Sequence, residues 1–134
     1  MKINAKHLKI ILLLTSLHTL CIGIALIVLP DNLMSLFGFT ELGGRFFRTQ
    51  GGVFHLVMAL GYYFAAIDIP NCRNFIKFII IVKFTATVFL VIYYLFIDPT
   101  IVILLSGVID FLIGLTIFYL NYQLISNEIE SSSL

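Results

Sequence analysis

Long apolar stretches alternate with short polar interruptions along this chain, and four of the stretches exceed the length at which a buried helix of a soluble domain usually stops. The first runs from Leu8 to Leu29, broken only by Lys9 and a polar patch of Thr15, Ser16, His18 and Thr19. The second begins near Glu41 or Leu42 and reaches Ile67, the third runs from Phe75 to Ile97, and the fourth from Ile101 to Tyr122. At a rise of about 1.5 Å per residue, roughly 20 apolar residues cross a hydrocarbon core about 30 Å thick. The pattern therefore predicts an all-α, integral membrane four-helix up-down bundle, with residues 1–134 forming a single transmembrane domain.

The interruptions carry the expected punctuation. Pro30 and Asp31 end the first block, because a proline disfavours helix in the residue before it. Asp31 can accept from the amides of a following turn, so Asn32 to Phe39 reads as a short interfacial helix, with Leu33, Leu36, Phe37 and Phe39 on the membrane. Asp68, Pro70 and Asn71 break the second block, and Asp98-Pro99 makes a tight turn into the fourth. The tail 123–134, with Glu128, Glu130 and a serine run, has too little apolar surface to pack and is expected to fray.

Composition removes the soluble alternative. Hydrophobic residues make up 60% of the chain and charged residues 11%, where an ordinary globular chain is about a quarter charged. Net charge is only +1, and no basic cluster lies beyond the N-terminus, which argues against a nucleic-acid partner and leaves the lipid bilayer as the primary one. A homo-oligomer or a larger membrane complex stays open. Lys2, Lys6 and Lys9 precede an apolar stretch as in a secretory signal, but the run is too long and no small-x-small cleavage site follows. With four crossings, Lys2, Lys6, Lys9, Arg73 and Lys77 collect on one side and only Arg45 and Arg48 on the other. The positive-inside rule then puts both termini in the cytoplasm.

Ionisable residues inside the blocks are the candidate chemistry, since charge at membrane depth is costly and usually faces a bundle interior. Measured from the side holding the termini, His18 lies about 15 Å deep, His55 and Asp110 about 18 Å, and Lys83 about 12 Å, a difference that a lysine side chain can span. Each of the four helices thus contributes one ionisable residue to one layer. Phase supports this: Arg45, Arg48, Gly52, His55, Ala59 and Tyr62 share a stripe, as do Ser106, Asp110 and Gly114, with Gly107 alongside. Small residues at such spacing let membrane helices approach closely, and Gly61 with Ala65 repeats the device.

Each candidate has a plain reading beside the functional one. Asp110 and Lys83 form either a neutralised pair that fixes helix register or a proton-exchange site; Lys83 could instead snorkel to the surface. His18 and His55 fit single interhelical hydrogen bonds as well as titration. Arg45, Arg48 and Gln50 suit an outer entrance for an anion, while the arginines suit equally well an anchor at the headgroups. Enzyme readings fail on inventory: Cys21 and Cys72 are on different levels and form no Cys-x-x-Cys pair, and Gly43 to Gly52 lacks the lysine of a phosphate-binding loop. His18, His55 and Asp110 could in principle hold a metal, yet no ligand spacing supports one, so no metal, no cofactor and no catalytic residue is assigned.

The run Leu29-Pro30, then Leu33-Met34-Ser35-Leu36-Phe37-Gly38, followed by Glu41 and Arg45 through Gly51-Gly52, resembles the small four-helix bacterial membrane proteins of the DoxX-like group, closest to relatives of unknown function. The resemblance covers most of the chain as architecture. It implies a multi-pass protein of the bacterial inner membrane with an up-down bundle and no assigned activity. DoxX itself is associated with a quinol-oxidising complex, but no quinone or haem ligand set is present here, so redox chemistry does not carry over. Two functions remain: a structural or accessory membrane component, or a small proton-coupled transporter or binding protein for an anionic lipid, quinone or metabolite.

Overall fold

The computed structural model describes residues 5–38 and 44–132. Its helices are α1 (Ala5–Val28), α2 (Asp31–Leu36), α3 (Gly44–Ile67), α4 (Arg73–Phe96) and α5 (Ile101–Ser132), with no strand among the described residues. Four of them are long and apolar enough to cross a membrane, which makes this a multi-pass membrane protein with an all-α four-helix bundle. Packing runs in a ring: α1 lies along α3 and α4 along α5, and the two pairs meet more sparsely through α1 against α5 and α3 against α4. The start of α1, the α3–α4 turn and the end of α5 share one side; α2 and the α4–α5 turn share the other.

Glycine sets the intimacy of the first pair. A Cβ on Gly52 would come within 2.8 Å of the Gly23 carbonyl, and one on Gly23 within 2.9 Å of the Gly52 carbonyl, so the α1 and α3 backbones touch where both residues lack side chains. The hydroxyl of Ser16 adds a bond to the Ala59 carbonyl at 2.7 Å. In the second pair a Cβ on Gly114 would sit 3.0 Å from the Lys83 Cβ, and Gly107 faces Leu90 and Thr87. In lipid, apolar burial gives little net drive between helices, so this close packing carries much of the association. Outward-facing Phe54, Val57, Phe89 and Phe111 are the complementary lipid-facing surface.

The fully shared core is confined to the side that holds the start of α1. There Leu8, Leu12, Tyr62, Ala65, Ile76, Ile79 and Ile117 form one buried cluster drawn from all four helices. Lys83 and Asp110 lie at its boundary towards α2.

Several boundaries differ from expectation for identifiable reasons. The tail expected to fray after Tyr122 continues α5 to Ser132, and there Arg73 reaches across to the Glu128 carboxylate. The interfacial helix is shorter than 32–39: it begins at Asp31 and is closed by Gly38 at φ +84°, a left-handed position where a Cβ would also strike Thr100 at 2.7 Å. Phe39 and the expected start of the second block at Glu41 or Leu42 lie outside the described residues. Asp31 does not cap the following turn; Pro30 holds the cap position and the Asp31 carboxylate turns instead to Arg48. Beyond α4, Asp98 Oδ1 accepts from the Thr100 amide and hydroxyl at 3.1 and 2.7 Å, which fixes the turn into α5.

Candidate functional site

Lys83 and Asp110 meet directly. The Lys83 ammonium donates to Asp110 Oδ1 at 2.5 Å, with the lysine side chain 7% and the aspartate side chain 18% exposed. Both belong to the α4/α5 pair, and Gly114 is what lets the lysine stem lie flat against α5. The ammonium also sits 5.6 Å from the centre of the Tyr62 ring on α3, a cation–π contact that ties the second pair to the first. Beside it the Thr87 hydroxyl donates at 2.9 Å to the Lys83 carbonyl and lies 3.3 Å from that of Gly107, which satisfies polar backbone in the same layer.

The histidines complete the layer from the other pair. His18 lies within electrostatic reach of Lys83, Asp110 and His55, so all four residues singled out by depth gather in one region. His55 Nδ1 is 2.9 Å from the Gly51 carbonyl one turn earlier; since a carbonyl only accepts, Nδ1 carries the proton and Nε2 is left as acceptor or second donor. His18 Nδ1 is buried and has no hydrogen-bond partner among the described residues. Among the described residues no group of three or more His, Cys, Asp or Glu side chains could hold a metal ion, so the His18, His55, Asp110 combination lacks ligand geometry.

The outer arginines divide. Arg48, with a side chain only 15% exposed, donates from Nη1 to Asp31 at 2.8 Å and from Nη2 to the Leu29 carbonyl at 3.0 Å. It clamps the end of α1 and the start of α2 onto α3, and its donors are turned inward. Arg45 and Gln50 are exposed on the same side. Of the three entrance residues, Arg48 therefore has its two Nη groups already engaged within the fold.

Tyr62 and Gly23 were missed as partners by sequence reasoning. Tyr62 was visible as a member of the α3 stripe, and its buried ring under a lysine follows from that phase. Gly23 carried a signal in its four-residue spacing from Thr19, the last polar residue of the α1 patch, but a lone glycine in an apolar run has no partner until the facing helix is known.

No protein-family model, curated protein or solved structure matches the chain.

Proposed function

We propose that this is a structural or accessory component of a bacterial inner membrane, oriented with both termini in the cytoplasm, whose buried charges hold the bundle in register rather than perform a reaction. The direct Lys83–Asp110 bond between α4 and α5 carries this reading: each charge neutralises the other, and Tyr62 seats the pair against α3. Fixing one packing arrangement is an attested use of buried polar groups. The DoxX-like resemblance and the lysine-rich side of the chain support the membrane assignment.

Replacing Lys83 by Met and Asp110 by Leu together tests it. The expected result is a chain that still folds, inserts and replaces the wild type wherever its deletion has an effect. A folded double variant that fails to replace the wild type would show that the charges do more than hold helices. That second reading, a small proton-coupled transporter or a binding protein for an anionic lipid, quinone or metabolite, draws on the residual exposure of Asp110; there Asp110→Asn would fold and abolish pH-dependent flux or binding.

A further inference from the structure

The two helix pairs are joined to each other less evenly than each is joined within itself. α1 and α3 touch backbone to backbone at Gly23 and Gly52, and α4 and α5 are closed by the Lys83–Asp110 bond with Gly114 beneath it. Between the pairs, the side that holds the start of α1 has the buried cluster drawn from all four helices and the Phe75 ring, which a Cβ on Gly61 would meet at 2.9 Å. The Lys83 ammonium over Tyr62 marks the far edge of that joint. On the α2 side a different kind of contact crosses from one pair to the other.

α2 follows α1 and is fastened at both ends. At its start Arg48 of α3 donates to the Asp31 carboxylate and to the Leu29 carbonyl. At its finish Gly38, held at φ +84°, lies against the turn between α4 and α5, where a Cβ on it would stand 2.7 Å from the Thr100 methyl. Thr100 presents that methyl because its hydroxyl is committed elsewhere: it donates to Asp98 Oδ1 at 2.7 Å, and the Thr100 amide donates to the same oxygen at 3.1 Å. Glycine meets both demands at position 38, a left-handed backbone and a surface flat enough to take a methyl. Between the two fastenings Met34 is buried while Leu33, Leu36 and Phe37 are exposed, and the backbone of α2 comes close to no other helix. The segment thus bridges the pairs as a strap whose second fastening is a van der Waals seat, with no hydrogen bond across it among the described residues.

We propose that α2 is a releasable strap: with Gly38 on Thr100 the two helix pairs are held together on the α2 side, and when Gly38 leaves that seat they part there, pivoting on the shared core at the other side. Packed units joined firmly at one end and lightly at the other move by hinging about the firm end. The seat is the lightest of the joints, because the pairs are closed by backbone contact at Gly23 and Gly52 and by an ion pair at Lys83 and Asp110. Each pair therefore moves as a unit, and both of those contacts persist in the open and the closed state. The device goes beyond a purely structural role and does not depend on whether the buried charges titrate.

Spin-label distances on the full chain in lipid nanodiscs test this, with Cys21 and Cys72 replaced by serine so that labels sit only where they are placed. One label pair, Val28→Cys with Ile101→Cys, reports across the helix pairs on the α2 side; a second, Lys6→Cys with Tyr122→Cys, reports across them on the other, all four positions being exposed. Thr100→Ser keeps the hydroxyl bond to Asp98 and removes the methyl that Gly38 takes. It should add to the Val28–Ile101 distribution a population longer by about 2 Å or more, the scale of a domain rearrangement, and leave the Lys6–Tyr122 distribution unchanged. Gly38→Ala, which clashes at the seat and strains the backbone, should do the same to a larger extent; where it does not fold, Thr100→Ser carries the test alone. A Val28–Ile101 distance unmoved by Thr100→Ser overturns the proposal, and so does equal broadening at both label pairs, which would mean that the bundle loosens without a pivot.

Discussion

Lys83→Met leaves the Asp110 carboxylate without its bonded cation at a position where 18% of the side chain is exposed. Removing one partner of a buried ion pair costs about 3–5 kcal/mol, because the remaining charge is desolvated and uncompensated. At about 1.4 kcal/mol per factor of ten, that is a shift of roughly two to three and a half decades in the unfolding equilibrium. Asp110→Leu removes the other partner and strands an ammonium that is only 7% exposed, with its stem fixed against Gly114. The double variant, by contrast, removes both desolvation penalties and should lie within about 1 kcal/mol of the wild type or above it. The two single losses therefore should not add. The chain contains no tryptophan, so far-UV circular dichroism during an SDS titration from mixed micelles is the suitable readout. A double variant whose loss equals the sum of the single losses to within about 0.5 kcal/mol would refute the reasoning, since independent sites add and coupled ones do not.

Gly52→Ala should destabilise by about 1–3 kcal/mol in the same titration, because its Cβ would meet Ile27 at 2.6 Å and the Gly23 carbonyl at 2.8 Å. Gly51→Ala, with nothing within 4 Å of the new Cβ, should be neutral or stabilising by up to about 1 kcal/mol; equal effects at the two neighbours would contradict the α1–α3 contact. Arg48→Met should speed hydrogen exchange from Leu29 to Gly38, whereas Asp31→Asn, at a carboxylate 75% exposed, should change it little, because the Leu29 carbonyl bond survives. Cys72, in the α3–α4 turn, should react with an impermeant maleimide in inverted vesicles and not in intact cells; the reverse pattern would invert the proposed orientation.

Much of the architecture was legible because lipid imposes a simple rule: an apolar run of about 20 residues has to satisfy its backbone internally, and a helix does so. The convergence of His18, His55, Lys83 and Asp110 was legible for a related reason, since rise per residue converts position into depth once topology alternates. What could not be read was the use of each side chain. Arg48 looked like half of an anion site because Arg45 and Gln50 are near in sequence, but its target, Asp31 with the Leu29 carbonyl, depends on how the α1–α2 elbow folds back. The tail beyond Tyr122 looked unable to pack on apolar content alone. Its helix is supported by a charge pair 55 residues apart, Arg73 with Glu128, which local composition does not reveal.

The contact between Lys83 and Asp110 is the claim on which the rest depends, and dipolar recoupling between 15Nζ-lysine and 13Cγ-aspartate in lipid bilayers measures it directly. Among the described residues Lys83 is the lysine that pairs with an aspartate. The wild-type chain should show one lysine–aspartate contact at hydrogen-bonding distance, lost in Lys83→Met. Absence of that contact, with the Lys83 ammonium instead at the bilayer surface, would contradict the account.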